Sequence, residues 1–356
     1  MTPTFHTLTV KEVRQETEDT VSIAFDIPEE LMESYQYKSG QYLTLRTEID
    51  GEDIRRSYSL CSAPHENEWR VAVKLVPGGQ FSTFANEVLK AGDKLDVMTP
   101  MGNFTIDSDK SHKRSIVLFA AGSGITPIIS IAKTILTQEP QSDVTLFYGN
   151  KSISTIIFHE EVEGLKNEYM NRLRFINILS RENLGTPLLK GRMDVEKTNQ
   201  LFKVFLETST PDAVYICGPE QMILDVKESV LANGIDPSAV HFELFTTPNS
   251  AKGAPVEKYE GPQIDANVSI ILDGDRFDIA LESDGESILD AASKTGADLP
   301  YACKGGVCCT CKAKVLEGEA RMDVNYALEP EEVEAGYILT CQAHPMSDQL
   351  VVSFDD

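Results

Sequence analysis

Four cysteines in the last quarter of the chain, Cys303, Cys308, Cys311 and Cys341, follow the spacing C-x4-C-x2-C-x29-C. Thiolates are the natural ligands of iron–sulfur clusters, and a close triplet with one distant partner is the plant-type [2Fe–2S] spacing. Such a loop must wrap its cluster tightly. Ala302, Gly305, Gly306 and Thr310 keep it small, and the glycines permit left-handed turns. Four thiolates also suit zinc, but structural zinc sites usually pair two short knuckles, whereas Cys341 stands alone after a long excursion. No histidine lies in the tight loop, which argues against a Rieske centre. Cys309 cannot replace Cys308 without changing the spacing and reads as a small loop residue. Cys61, after the strand-like RSYSL, reads as a packed core thiol.

Upstream lie several shorter motifs, each with a plain structural reading beside a chemical one. Arg55-Arg56-Ser57-Tyr58-Ser59 alone is an amphipathic strand in which Arg56 and Tyr58 share a face. Gly78-Gly79-Gln80-Phe81-Ser82-Thr83 alone is a turn followed by a helix cap. It also lets the backbone approach a pyrophosphate, with helix N–H groups and the Ser82 hydroxyl beside it. Ala120-Ala121-Gly122-Ser123-Gly124-Ile125-Thr126-Pro127 follows an apolar run and precedes a helical one. It is a variant dinucleotide-binding turn in which proline replaces the third glycine, with Thr126 near the cap and Pro127 in the first turn. Cys217-Gly218-Pro219 closes another apolar run, where a lone cysteine would ordinarily be a buried thiol.

The elements that must carry these residues fall into three segments. From Phe5 to about Ile106, short alternating runs (FHTLTV, VSIAF, QYLTL, RSYSL, WRVAVKL, KLDVM) separated by Gly and Pro turns predict an antiparallel barrel or sandwich. One helix is expected in this segment, from near Ser82. From Ser115 to Phe245, continuous apolar runs alternate with helical stretches such as TPIISIAKTIL, the pattern of a doubly wound parallel sheet. Thr247–Gly261 is poor in apolar residues and reads as a linker. After it come a hairpin around Asp273-Gly274-Asp275, a helix from about Glu286 to Lys294, and the cysteine loop. The domains are accordingly placed at 1–108, 109–246 and 262–356, with 247–261 as linker.

Composition narrows the function. The net charge of −24 argues against nucleic acid and against anionic membrane surfaces as partners. From Gln263 to Asp356 there are 19 acidic against 6 basic residues, which serves solubility or docks a basic partner. No apolar run reaches membrane-spanning length, and Met1 to Val10 shows no signal-peptide pattern. A cytoplasmic location is expected, with seven cysteines free, metal-bound or catalytic rather than in disulfides.

In this order the motifs resemble the ferredoxin–NADP reductase superfamily, with a plant-type ferredoxin at the C-terminal end. That resemblance covers ILDAASKTGADLPY before the cysteine loop and GYILTCQAHP at the last ligand. It implies a flavin-binding barrel, a nucleotide-binding α/β domain and a β-grasp ferredoxin domain. Arg56 would reach the flavin phosphate, Tyr58 would pack on the isoalloxazine and Ser59 would hydrogen-bond it. Gly79, Ser82 and Thr83 would form the second flavin segment. Gly122, Gly124 and Thr126 would hold the nucleotide, and Cys217-Gly218-Pro219 would border the nicotinamide, so that Cys217 and Ser59 flank hydride transfer. Glu243 and Phe245 match an acid and an aromatic near the flavin. Ser180-Arg181 resembles the pair placed on a 2′-phosphate, with Lys151 and Lys190 adding charge. These features favour FAD and NADPH.

YACKGGVCCTCK and ALEPEEVEAGYILTCQAHP extend the likeness to the reductase family that serves phenylacetate-degrading di-iron oxygenases. The implied acceptor is a di-iron oxygenase component that epoxidises the ring of phenylacetyl-CoA. Two other readings share parts of the pattern. An FMN- and NADH-using reductase feeding a Rieske oxygenase has the same domain order, and a redox-sensing module would carry the cluster without turnover.

Overall fold

The computed structural model describes residues 4–206, 210–245 and 261–356. The expected linker lies outside these residues except for Gly261.

The first sheet is antiparallel. It comprises β1 (Phe5–Thr17), β2 (Thr20–Asp26), β3 (Tyr42–Ile49), β4 (Glu52–Ser59), β5 (Trp69–Lys74) and β6 (Lys94–Met98), in the order β4-β3-β6-β1-β2-β5. A bridge from Leu60 to Val71 carries the end of β4 to β5, curling the sheet towards a closed barrel. Inside, Leu43 and Leu45 of β3 meet Val71 and Val73 of β5. Phe81 and Ala85 of α1 (Gln80–Glu87) pack into the same core. The helix starts two residues before the expected Ser82. A turn from Val76 O to Gly79 N, 2.9 Å, puts Gly79 at the N-cap, so Gln80 is already helical.

The second sheet is parallel, with β7 (Ser115–Ala121), β8 (Asp143–Asn150), β9 (Leu173–Leu179), β10 (Ala213–Cys217) and β11 (Val240–Glu243) in the order β11-β10-β7-β8-β9. Helices α2 (Ile125–Gln138), α3 (His159–Glu168), α4 (Val195–Phe205) and α5 (Glu220–Ala232) alternate with these strands. The sheet has an apolar cluster on each face, which is why its strands read as unbroken apolar runs. The strand order reverses between β7 and β10, the point where open α/β sheets bind ligands beyond their strand ends.

The third domain contains β12 (Asp265–Leu272), β13 (Asp275–Glu282), α6 (Ile288–Lys294), β14 (Lys312–Glu317), β15 (Ala320–Met322), α7 (Pro330–Glu334), β16 (Tyr337–Leu339), β17 (Ala343–Pro345) and β18 (Gln349–Ser353). Its main sheet runs β13-β12-β18-β14-β16, with β12 and β18 parallel, the β-grasp arrangement. Asp273 and Gly274 both have positive φ, +53° and +78°, as a two-residue hairpin requires. Ser287 caps α6 by accepting the Asp290 N–H at 3.2 Å. Among the described residues, no helix is long and apolar enough to cross a membrane.

Candidate functional site

Strand alternation divides the RRSYS segment between two faces of β4. Arg56 and Tyr58 stand opposite Leu45 and Leu43 on the barrel side. Arg56 is exposed, and the bond from its Nη1 to Arg55 O at 2.7 Å leaves further N–H donors for an anion. Tyr58 packs on Phe81 of α1 with ring centroids 5.5 Å apart. Arg55, Ser57 and Ser59 occupy the other face, beside Arg46, Thr44 and Tyr42 of β3. There the Ser59 hydroxyl donates to Glu243 Oε2 at 3.1 Å, linking the barrel to the end of β11. Burial pushes the Glu243 carboxyl up to about 8.

The second segment forms a tight turn at the mouth of α1. Gly78 is left-handed at φ +74°, and a Cβ on Gly79 would sit 2.6 Å from Ser82 Oγ. Ser82 is buried. Its hydroxyl accepts Val76 N–H at 3.1 Å and donates to Gly79 O at 3.1 Å, so it shapes the turn before serving any ligand. Thr83 is half-buried one residue further on.

At the switch point Gly122 is left-handed at φ +54°, with open space where its side chain would be. Gly124 is the opposite case. A Cβ there would lie 2.2 Å from Cys217 O and 2.7 Å from Gly218 N, so only glycine lets β7 and β10 close together. The Gly122–Gly124 stretch makes a short 3-10 turn, and α2 begins at Ile125. Thr126 is buried inside the helix, donating to Ser123 O at 3.1 Å, and Pro127 follows in the same turn. Cys217 is fully buried opposite Glu243, and burial raises its thiol well above the ordinary value. Pro219 caps α5.

The residues expected at the ribose gather at one corner of the sheet. Ser180 N–H donates to Asn150 O and Arg181 N–H to Lys151 O, each at 2.9 Å, while Lys190 bridges Leu179. Ser180 is half-buried; Arg181, Lys151 and Lys190 are exposed.

The four thiols of the C-terminal loop are free and converge. Cys303 and Cys308 lie 3.1 Å apart at sulfur, and Cys341 sits beside both Cys303 and Cys311. Gly305 N–H points at Cys303 Sγ from 3.3 Å, a donor aimed where a thiolate needs one. Among the described residues no three ligand side chains close on a single-ion point. The neighbours run Cys308, Cys303, Cys341, Cys311, a closed set of four thiols that suits one cluster held by all of them.

One cavity of about 1090 Å³ brings these parts together. It is lined by Arg56, Tyr58, Ser59, Gly79 and Ser82 from the barrel. Ser123, Thr126, Lys151, Glu243 and Phe245 line it from the nucleotide domain, and Cys303 and Cys308 from the cluster loop. Its volume lies at the upper end for small-molecule pockets and suits a dinucleotide flavin. Gly122, Gly124, Thr83, Cys217, Ser180 and Arg181 stand behind or beside this lining rather than in it.

Sequence reasoning missed the residues that hold the third domain over this cavity. Arg55, 4% exposed at its side chain, pairs with Asp298 at 2.5 Å and Asp53 at 2.7 Å. It also donates to Leu299 O at 3.2 Å and stacks over Tyr301. Asn103 donates to Glu332 at 2.8 Å. Cys309 is more than a small loop residue, because its sulfur lies 3.3 Å from the Tyr42 hydroxyl. A doubled arginine, with one copy unexplained by the flavin motif, was the available signal.

Three family models match the chain. They are an oxidoreductase FAD-binding domain over residues 7–106, an oxidoreductase NAD-binding domain over 118–228 and a 2Fe-2S iron-sulfur cluster binding domain over 270–346. Among curated proteins, one component of the 1,2-phenylacetyl-CoA epoxidase of Escherichia coli K12 is 44% identical across 99% of this chain and 98% of its own length. The ferredoxin reductase component of 3-ketosteroid-9-alpha-monooxygenase from Rhodococcus rhodochrous is 35% identical, covering 98% and 96%. The solved structure of phthalate dioxygenase reductase shares the fold, with a TM-score of 0.60 at 24% identity over 98% of both chains.

Proposed function

This chain belongs to the ferredoxin–NADP reductase superfamily, among the fused reductases with a C-terminal [2Fe–2S] domain, and on that premise we propose that it oxidises NADPH for a phenylacetyl-CoA epoxidase, with a di-iron oxygenase as acceptor. The observation that carries this reading is the single cavity in which flavin segment, nucleotide turn and cluster loop meet. FAD held there would supply the conversion of a two-electron hydride donor into single electrons, which is what a [2Fe–2S] centre can take.

The chain's own residues bind and orient. Arg56, Gly79, Ser82, Thr83 and the start of α1 hold the flavin's phosphates, while Tyr58 packs against its ring. Gly122, Gly124 and Thr126 let the nucleotide backbone approach β7. Cys217, Gly218 and Pro219 border the nicotinamide, and Ser59 and Phe245 face it from the flavin side. Ser180 and Arg181, with Lys151 and Lys190 nearby, read the 2′-phosphate, since a guanidinium and a hydroxyl suit a dianion. Cys303, Cys308, Cys311 and Cys341 hold the cluster. A cytoplasmic location is consistent with seven free thiols and a nicotinamide donor.

Three measurements test the proposal. The extracted flavin should be FAD, and NADPH oxidation coupled to consumption of phenylacetyl-CoA should require the added di-iron oxygenase. Arg181→Ala should raise the KM for NADPH about tenfold and leave that for NADH nearly unchanged. FMN in the extract, or equal effects on both coenzymes, would transfer support to the NADH-using, Rieske-feeding alternative.

A further inference from the structure

Tyr42 stands on β3 of the barrel but is buried in the core of the iron–sulfur domain. Its backbone pairs with Ser59 across the β3–β4 ladder. Its N–H donates to Met101 O at 2.8 Å and its carbonyl accepts Met101 N–H at 3.0 Å, so the residue is fixed on the barrel from both sides. The hydroxyl reaches into the cluster loop. It accepts the Cys309 N–H at 3.2 Å, and lies 3.3 Å from Cys309 Sγ and 3.1 Å from Thr310 Oγ1.

Cys309 and Thr310 are the two residues between the ligands Cys308 and Cys311. Thr44, two residues along the same face, continues the contact to Thr310 at 3.5 Å and to Ser57 of the flavin segment at 3.0 Å. The fold also makes room for this ring. Gly102 has φ +120°, and a Cβ there would lie 3.0 Å from the Tyr42 ring. Burial raises the phenol far above its ordinary value, so the group stays a neutral hydroxyl.

We propose that Tyr42 is a positioning residue for electron transfer from the flavin site to the cluster: its hydroxyl pins the Cys309–Thr310 peptide, and with it the Cys308 and Cys311 ligands, against the strand that neighbours the flavin motif. The inference rests on the flavin and cluster assignments above. It adds that, among the contacts that seat the third domain, the Tyr42 hydroxyl is the one that reaches the peptide between two cluster ligands. The transfer rate falls steeply with distance, so a small retreat of the loop slows it without touching hydride transfer.

The test uses the loaded full-length protein and the variants Tyr42→Phe, Cys309→Ala and their combination. Rapid anaerobic mixing with NADPH should give flavin bleaching followed by cluster bleaching. Tyr42→Phe should slow the second phase about tenfold, with a normal cluster spectrum. Hydrogen exchange at the Cys309 amide should accelerate at least about tenfold in the same variant, a readout independent of turnover. The double variant should match Tyr42→Phe alone, because the sulfur contact that Cys309→Ala removes is one of those already lost with the hydroxyl. A second phase within twofold of the parent, unchanged exchange, multiplying effects or loss of the cluster would each overturn the proposal. If the parent protein shows no flavin-to-cluster sequence at all, the functional assignment itself has failed instead.

Discussion

The barrel is joined to its two neighbours in different ways. Against the nucleotide domain the core is continuous: Cys61, Ala72, Phe104 and Ile106 belong to the same apolar cluster as Ile128, Ile131 and Ile135 of α2. Gly40 lies so close to Phe104 that a Cβ would fall 1.9 Å from its carbonyl oxygen. Through this seam passes Lys133 of α2, 8% exposed at its side chain, paired with Glu66 at 3.1 Å and with Glu161. Ser130 donates to Ser62 O at 2.6 Å and Tyr215 to Thr105 O at 3.0 Å. Against the iron–sulfur domain the contacts are mainly polar, centred on Arg55 and Tyr42, and the barrel adds to that domain's core the Tyr42 ring with Met101 packed beside it. Continuous apolar burial makes one cooperative body, whereas a polar contact holds a geometry at little gain in stability. Hydride transfer needs two faces held permanently at contact. A domain that hands electrons to another protein needs a defined but separable seat.

This contrast can be tested by removing one side at a time. Cys341→Ser should abolish the cluster's visible absorbance completely while the flavin remains reducible by NADPH. Loss of flavin reduction as well would show that the third domain is not separable. Lys133→Ala leaves Glu161 and Glu66 without their buried partner and should cost about 3 kcal/mol. Asp298→Ala, which leaves Arg55 its bond to Asp53, should cost about 1 kcal/mol. Denaturant unfolding followed by flavin fluorescence for the first, and by cluster absorbance for the second, checks both; equal costs would erase the distinction.

The smallest effect concerns Glu243. With its folded value raised to about 8 from an ordinary 4.5, the folded protein holds a proton that the unfolded chain has lost between those limits. Stability is therefore greatest below about pH 4.5 for this group and falls as pH rises through 8. Glu243→Gln should flatten that decline by roughly 3 °C in Tm between pH 6 and pH 9. An unaltered slope would place the effect elsewhere.

Much of the architecture was legible because its signals are local. Cysteine spacing, glycines beside a buried strand and the change from alternating to continuous apolar runs each follow from a few neighbouring residues. The seating of the third domain was not legible. Thr44, Arg46, Arg55 and Ser57 form a polar row on β3 and β4, and a sequence cannot distinguish a polar face covered by protein from one covered by water. Lys133 did leave a trace, as the one charge in the apolar helix TPIISIAKTIL. A lone lysine in a helix buried all round must find acids within reach. Thr126 and Ser82 were placed at the right turns, but both hydroxyls are partly committed to their own backbone, which spacing alone does not reveal.

The alternation of β4 has a further consequence for how this molecule can change. Arg55 and Arg56 are chemically identical and adjacent and both border the cavity, yet Arg55 is paired with a carboxylate of the third domain while Arg56 keeps N–H donors for a ligand. A deletion or insertion of one residue ahead of them would leave the composition of the strand almost untouched and exchange the two destinations. Arg56 and Tyr58 thus share one frame of the five letters RRSYS and Arg55 and Ser57 the other, with Ser59 of the second frame turned to Glu243. Substitutions can tune either independently, but a shift in length disables both at once.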